Sequence, residues 1–336
     1  METTNDNINI NCAEGELYTA EIAVESMDEM IKLFGVFDEN LKVISSETGA
    51  RIIAAGDCIR IEGSNKTVEL AATVVDKLLI TIRRGDNIDR SRIRYAVDLA
   101  KEGNAELITE LESDVVAFTA KGRRIKCKTL GQKKYVNALK RNTVVFGVGP
   151  AGTGKTYLAV AMAVLAYKNK EVEKIILTRP AVEAGERLGF LPGDMKDKLD
   201  PYLQPLYDAL GDMIPSKKLQ DFISDGTIQI APLAYMRGRT LDRACVILDE
   251  AQNTNLGQLK MFLTRMGPNA KFIVTGDASQ VDLPHKEDSG LLKGISLLKD
   301  IKGVSTICFS NEDIVRHPLV SRIVKAFEEQ SSQEVK

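Results

Sequence analysis

The run Gly149-Pro150-Ala151-Gly152-Thr153-Gly154-Lys155-Thr156 has the spacing GxxxxGK[ST], and it follows an apolar, β-branched run, Val144 to Val148, and opens a helix-forming stretch. In that context the glycines let successive backbone N–H groups curl around phosphate oxygens, and the following helix adds the positive end of its dipole. The string predicts that Gly149, Pro150, Ala151, Gly152, Thr153 and Gly154 cradle the phosphates of ATP. Lys155 is expected to neutralise the β and γ charges, and Thr156 to ligate Mg²⁺. Further along, the apolar run Ala244 to Leu248 ends in Asp249 and Glu250. That is a Walker B arrangement: Asp249 is placed to hold the Mg²⁺ water shell and Glu250 to polarise an attacking water, so the pair supports hydrolysis beyond binding.

A third strand, Lys271 to Thr275, terminates in Gly276-Asp277-Ala278-Ser279-Gln280. Ligands of α/β sheets bind at the carboxyl ends of the strands, which makes Gln280 the candidate sensor of a γ-phosphate. Gln132, in Thr129-Leu130-Gly131-Gln132 ahead of the helix that leads into the first core strand, has an amide able to read both edges of an adenine. Two basic segments are candidates for nucleic acid. One is the cluster Lys121, Arg123, Arg124, Lys126, Lys128, Lys133 and Lys134, with Tyr135 as its stacking aromatic; the other is Arg237 and Arg239 on a loop before Asp249.

The elements that must position these residues fall into two parts. A chain of 336 residues suggests two domains or one core with an appendage. Residues 1–15 are polar and read as a disordered lead-in. Residues 16–85 read as a small α+β unit, with strands at 17–24, 41–45 and 58–62 and helices at 28–37 and 67–82. Residues 86–120 read as a helical linker and the start of a basic hairpin around Lys121-Gly122. From Thr143 onward, short β-branched runs at 144–148, 174–178, 228–231, 244–248, 271–275 and 304–309 recur, mostly separated by helical stretches or longer insertions. That alternation predicts an α/β core with a parallel sheet over 121–328, followed by a frayed tail, 329–336.

Composition narrows the class. Hydrophobic residues make up 44% and charged residues 27%, values of a folded, soluble chain. The 45 Lys+Arg against 47 Asp+Glu leave a net charge of −2, so nucleic-acid binding must come from a local patch. The front of the chain is acidic and the neck before the first core strand is basic. No secretory signal is legible at the N-terminus, and the charge-free run Tyr157 to Tyr167 is too short for a membrane span. The expected setting is the cytoplasm, with no membrane. Five scattered cysteines without a CxxC pair and two histidines argue against a disulfide scaffold and a zinc site.

With Thr178-Arg179-Pro180 after the second core strand, these motifs resemble superfamily 1 helicase cores. A wider set resembles the PhoH-like, phosphate-starvation-inducible ATPases: Arg179 to Asp194 (RPAVEAGERLGFLPGD), Asp200-Pro201-Tyr202, Asp249 to Asn253 (DEAQN) and Arg316 to Val320 (RHPLV). The resemblance covers roughly residues 120 to 328. It implies a RecA-like P-loop ATPase domain, ATP and Mg²⁺, a cytoplasmic setting and a link to RNA metabolism. Carried over residue by residue, Gly149 to Thr156 match the family's phosphate loop, Asp249 and Glu250 its Walker B acids, and Gln280 its motif after the third core strand. Arg316 matches a family arginine; as an arginine finger it would reach a γ-phosphate across a subunit interface, implying a homo-oligomeric ring such as a hexamer. The GERLGFLPGD segment reads as a loop over the ligand-binding edge of the sheet. The front resembles a KH-type domain in its strand, helix, strand, helix order, yet Glu47-Thr48-Gly49-Ala50-Arg51 does not supply the GXXG loop that grips RNA backbone. It reads as a protein-docking or structural unit. The output is then either an RNA-dependent ATPase that remodels or unwinds RNA, or an ATP-gated adaptor for an RNA-processing partner such as a nuclease.

Overall fold

The computed structural model describes residues 8–13, 17–110, 115–180, 195–315, 319, 320 and 323. The chain divides into two units, Met1–Asp114 with Arg316–Lys336, and Val115–Val315.

In the first unit, strands β1 (Ile8–Ala13), β2 (Leu17–Ala23), β3 (Arg51–Ala55) and β4 (Cys58–Gly63) form an antiparallel sheet in the order β1-β2-β4-β3. Helices α1 (Met27–Phe34), α2 (Glu39–Thr48), α3 (Asn65–Arg83), α4 (Arg90–Lys101) and α5 (Glu106–Glu110) complete it. The long α3 starts at a Ser64 cap, whose hydroxyl accepts the Thr67 N–H, and buries Val68, Val75, Leu78 and Leu79. Each such apolar side chain contributes about 1.5–3 kcal/mol.

Four expectations are corrected here. Residues 8–13 form a strand within the stretch read as a disordered lead-in: Ile8, Ile10 and Cys12 alternate with asparagines and pair with β2. Leu41–Ser45 is not a strand but the middle of α2, where Asn40, Ile44 and Thr48 lie buried on one face at four-residue spacing and Gly49, at φ +78°, ends the helix. The element order is therefore strand, strand, helix, helix, strand, strand, helix, not the alternation of the KH-type resemblance. Residues 86–110 do not act as a linker: α4 packs on α2 and α3, burying Ile93, Ala96 and Val97.

In the second unit all six expected strands are present: β7 (Val144–Val148), β8 (Lys174–Arg179), β9 (Ile228–Pro232), β10 (Ala244–Leu248), β11 (Lys271–Gly276) and β12 (Val304–Cys308). They form one parallel sheet in the order β12-β7-β11-β10-β8-β9. This is the α/β core with a parallel sheet that the alternation predicts, with β11 inserted between the phosphate-loop strand β7 and the acid-bearing strand β10. Period-two alternation sends Val145, Ile175, Leu177, Ile247 and Ile273 into one face and Val144, Phe146, Val246, Leu248, Phe272 and Val274 into the other. The first face is covered by α6 (Leu130–Arg141), α7 (Lys155–Lys168), α8 (Met195–Met213) and α9 (Ser216–Ser224), the second by α10 (Leu256–Leu263) and α11 (Leu291–Leu298). Strands buried on both faces are why these segments read as short continuous apolar runs. A hairpin of β5 (Val115–Phe118) and β6 (Arg124–Lys126) precedes α6, turning at Gly122. Among the described residues no helix is long and apolar enough to cross a membrane.

Candidate nucleotide site

The phosphate loop runs from β7 into α7. Gly149 sits at φ +149°, and a Cβ there would meet Phe309 O at 2.6 Å, so glycine is required both by backbone and by space. Gly152 and Gly154 take φ +85° and +80°, which curls the loop ahead of α7. Lys155, at the start of α7, folds back over the loop: its ammonium donates to Gly149 O at 2.6 Å, Pro150 O at 2.7 Å and Thr153 Oγ1 at 3.4 Å.

Asp249 follows the last residue of β10, and β11 and β8 flank it. Its N–H donates to Thr178 O. Its side chain is buried, and both oxygens are filled: Oδ1 accepts from Thr156 Oγ1 and Thr275 Oγ1, each at 2.6 Å, and Oδ2 from Arg179 Nε at 2.8 Å and Nη2 at 2.5 Å. A hydroxyl and a carboxylate side by side are hard oxygen donors of the kind Mg²⁺ takes, so the residues fit that ion. Glu250 stands at φ +54°, a left-handed conformation uncommon outside glycine. That turn leaves Glu250 partly exposed beside the buried Asp249, and Gln252 Nε2 holds its Oε2 at 2.6 Å.

Gln280 is exposed, and the loop after β11 brings Asp277 to the phosphate loop in its place. Asp277 Oδ2 accepts the Ala151 N–H at 3.1 Å, Oδ1 accepts from the N–H and hydroxyl of Ser279, and the Asp277 N–H donates to Gln252 Oε1 at 3.0 Å. On the other side, Asp313 accepts the N–H groups of Gly131 and Ser310, and the Val315 N–H donates to Gly152 O. Arg316 and the GERLGFLPGD segment lie outside the described residues.

Gln132 bridges the loop and the basic hairpin. Its N–H is capped by Thr129 Oγ1, its Nε2 donates to Thr153 O at 3.0 Å, and its Oε1 accepts the Lys128 N–H at 2.7 Å. One N–H and one lone pair remain on the amide, the pair that adenine N7 and its amino group require. Gln132 borders a cleft of about 390 Å³ lined also by Gly152, Gly154, Arg124, Lys126 and Lys128. Arg123 lines it as well and pairs with Asp212 at 3.2 Å. Tyr157 donates to the same carboxylate at 2.6 Å; burial, then that bond, pushes its phenol up to about 12.

The remaining basic candidates separate from this cleft. Arg237 is exposed on the turn after β9, while Arg239 donates to Gln229 Oε1 at 2.5 Å and to Met236 Sδ, an internal brace. Tyr135 cannot stack on a base: it is fully buried, edge-on to Phe309 and beneath Gly147. Sequence reasoning assigned no role to Arg179, Gln252, Thr275, Asp277 or Asp313. The available signal was their place just after or at the end of a core strand.

A protein-family model described as PhoH-like protein matches residues 124–328. A PhoH-like protein of Bacillus subtilis is 50% identical over 308 residues, covering 92% of this chain and 97% of that protein. One of Synechocystis is 46% identical over 310 residues, 92% of this chain and 94% of that protein. Protein PhoH of Escherichia coli is 43% identical over 198 residues, 58% of this chain and 56% of that protein.

Proposed function

Because the chain belongs to the PhoH-like family, we propose that it is a Mg²⁺-dependent ATP hydrolase of the P-loop type, cytoplasmic, whose turnover is coupled to binding and remodelling RNA. The observation that carries the hydrolase reading is the hydrogen bond from Thr156 Oγ1 to Asp249 Oδ1, with Glu250 beside it and Lys155 over the loop. Thr156 and Asp249 would hold Mg²⁺, which when bound neutralises phosphate charge. Lys155 and the loop N–H groups bind the phosphates, and Glu250 accepts hydrogen-bond donation from the attacking water and orients it. Gln132 and the cleft beside it take the base, favouring adenine.

RNA binding rests on the exposed cations Arg124 and Lys128 at the rim of that cleft. Arg316 completes the site from a neighbouring subunit of a homo-oligomeric ring, in the manner of an arginine finger. A second reading, an ATP-gated adaptor that recruits an RNA-processing protein without unwinding, is favoured by one feature of the first unit. There Met27, Ile31, Val36 and Phe37 are all exposed, Phe37 to 90% and at φ +53°. ATP turnover measured with and without single-stranded RNA separates the two: stimulation by RNA supports the coupled hydrolase, and turnover indifferent to RNA supports the adaptor.

A further inference from the structure

Arg179 is the last residue of β8, fixed in register opposite Pro232, and its guanidinium is only 15% exposed. Two of its nitrogens hold Asp249 Oδ2, Nη2 also lies 3.7 Å from Glu250 Oε1, and Nη1 donates to Tyr202 O at 2.8 Å. Tyr202 lies in α8, so one side chain joins the two Walker B acids to a helix of the adjoining layer. The carboxylate that the nucleotide reading assigns to a divalent cation is thus already neutralised, on Oδ2, by an organic cation. Two positive charges on one buried carboxylate repel strongly, because burial weakens solvent screening. A guanidinium cannot relieve the conflict by losing its proton, which leaves movement as its route.

We propose that Arg179 is a cation gate: it holds Asp249 Oδ2 while no nucleotide is bound, gives it up when the divalent-cation complex of the nucleotide enters, and carries that change to α8 through the Tyr202 carbonyl. The proposal rests on the nucleotide-site reading above. It differs from a static ion pair in sign. A static brace, when removed, loosens the site and weakens binding; a competitor, when removed, strengthens the binding of the other cation, by the reciprocity of linkage.

The test is binding of a fluorescent, non-hydrolysable ATP analogue titrated with Mg²⁺, for the wild type, Arg179→Gln and Arg179→Lys. The half-saturating Mg²⁺ concentration is expected to fall about tenfold in Arg179→Gln and by a smaller factor in Arg179→Lys, which keeps the charge and loses the fork. Mg²⁺ alone should raise the Tm of Arg179→Gln more than that of the wild type. Hydrogen exchange at the Tyr202 turn of α8 should respond to the Mg²⁺-bound analogue in the wild type and not in Arg179→Gln. If Arg179→Gln does not fold, Arg179→Lys decides by the direction of its shift. An unchanged or raised Mg²⁺ requirement in the variants, with the wild type binding the analogue normally, overturns the gate alone. A wild type that fails to bind the analogue with Mg²⁺ overturns the nucleotide site and the gate with it.

Discussion

Gln252 Nε2 donates to Glu250 Oε2 at 2.6 Å, while Gln252 Oε1 accepts the N–H of Asp277 at 3.0 Å. Asp277 in turn receives the Ala151 N–H on the phosphate loop. Glu250, the acid proposed to orient the attacking water, is therefore aimed by a buried amide whose other end is fixed just past the strand between the two motifs. Such a relay orients Glu250 without contributing charge to it.

Glu250→Gln removes the acceptor for the water's proton and keeps the shape, so turnover should fall by about 10²-fold or more while affinity for the nucleotide is retained. Gln252→Ala should lower kcat by a smaller factor, about tenfold, because the aim of Glu250 is lost together with the acceptor of the Asp277 N–H. Steady-state kinetics on both variants checks the ordering.

Glycine requirements differ within the chain in a way that stability measurements can read. Gly122 has φ +77° and open space, so Gly122→Ala should cost about 1–2 kcal/mol for handedness alone. Gly149→Ala meets Phe309 O and Cβ at 2.6 and 2.7 Å as well and should cost about 3 kcal/mol or more. Denaturant unfolding of the two variants should place them in that order.

Alkaline pH should destabilise the fold through two groups. Burial pushes the Cys245 thiol from 9.0 up to about 12, and burial with the Asp212 bond pushes the Tyr157 phenol from 10.0 up to about 12. Both folded values lie above the unfolded ones, so the native state keeps these protons more tightly. Their contribution is complete below pH 9 and pH 10 respectively and is lost as pH climbs towards 12. Cys245→Ala should flatten the fall in denaturation midpoint that starts near pH 9, and Tyr157→Phe the part that starts near pH 10. Slopes identical to the wild type would exclude both assignments.

RNA affinity should separate the basic candidates. Replacing Arg124 and Lys128 together by alanine should weaken single-stranded RNA binding and reduce the slope of log affinity against log salt by about 1.4. Arg239→Ala should leave that slope alone and lower Tm instead, since its guanidinium braces Gln229. Fluorescence anisotropy across a salt series distinguishes the two.

Much of the core was legible because its strands are short runs of Val and Ile buried on both faces, and because GxxxxGK[ST] names its own chemistry. The first unit was harder. Leu41-Lys42-Val43-Ile44 looks like a strand within four residues, and only the spacing of Asn40, Ile44 and Thr48 over ten reveals the helix. The contact of Asp277 with the phosphate loop was not legible, because local sequence does not say which side chain of a strand-end loop turns inward. That depends on β11 lying between β7 and β10, which is a property of strand order. The same order brings Arg179, at the end of β8, onto Asp249, at the end of its neighbour β10.

Phosphate release from ATP in the presence of Mg²⁺ and single-stranded RNA, compared between the wild type and Lys155→Ala, tests the central claim most directly. Measurable turnover in the wild type, and a loss of about 100-fold or more in a folded Lys155→Ala variant, is the predicted result. Wild-type protein that releases no phosphate, or a Lys155→Ala variant that turns over at the wild-type rate, would contradict it.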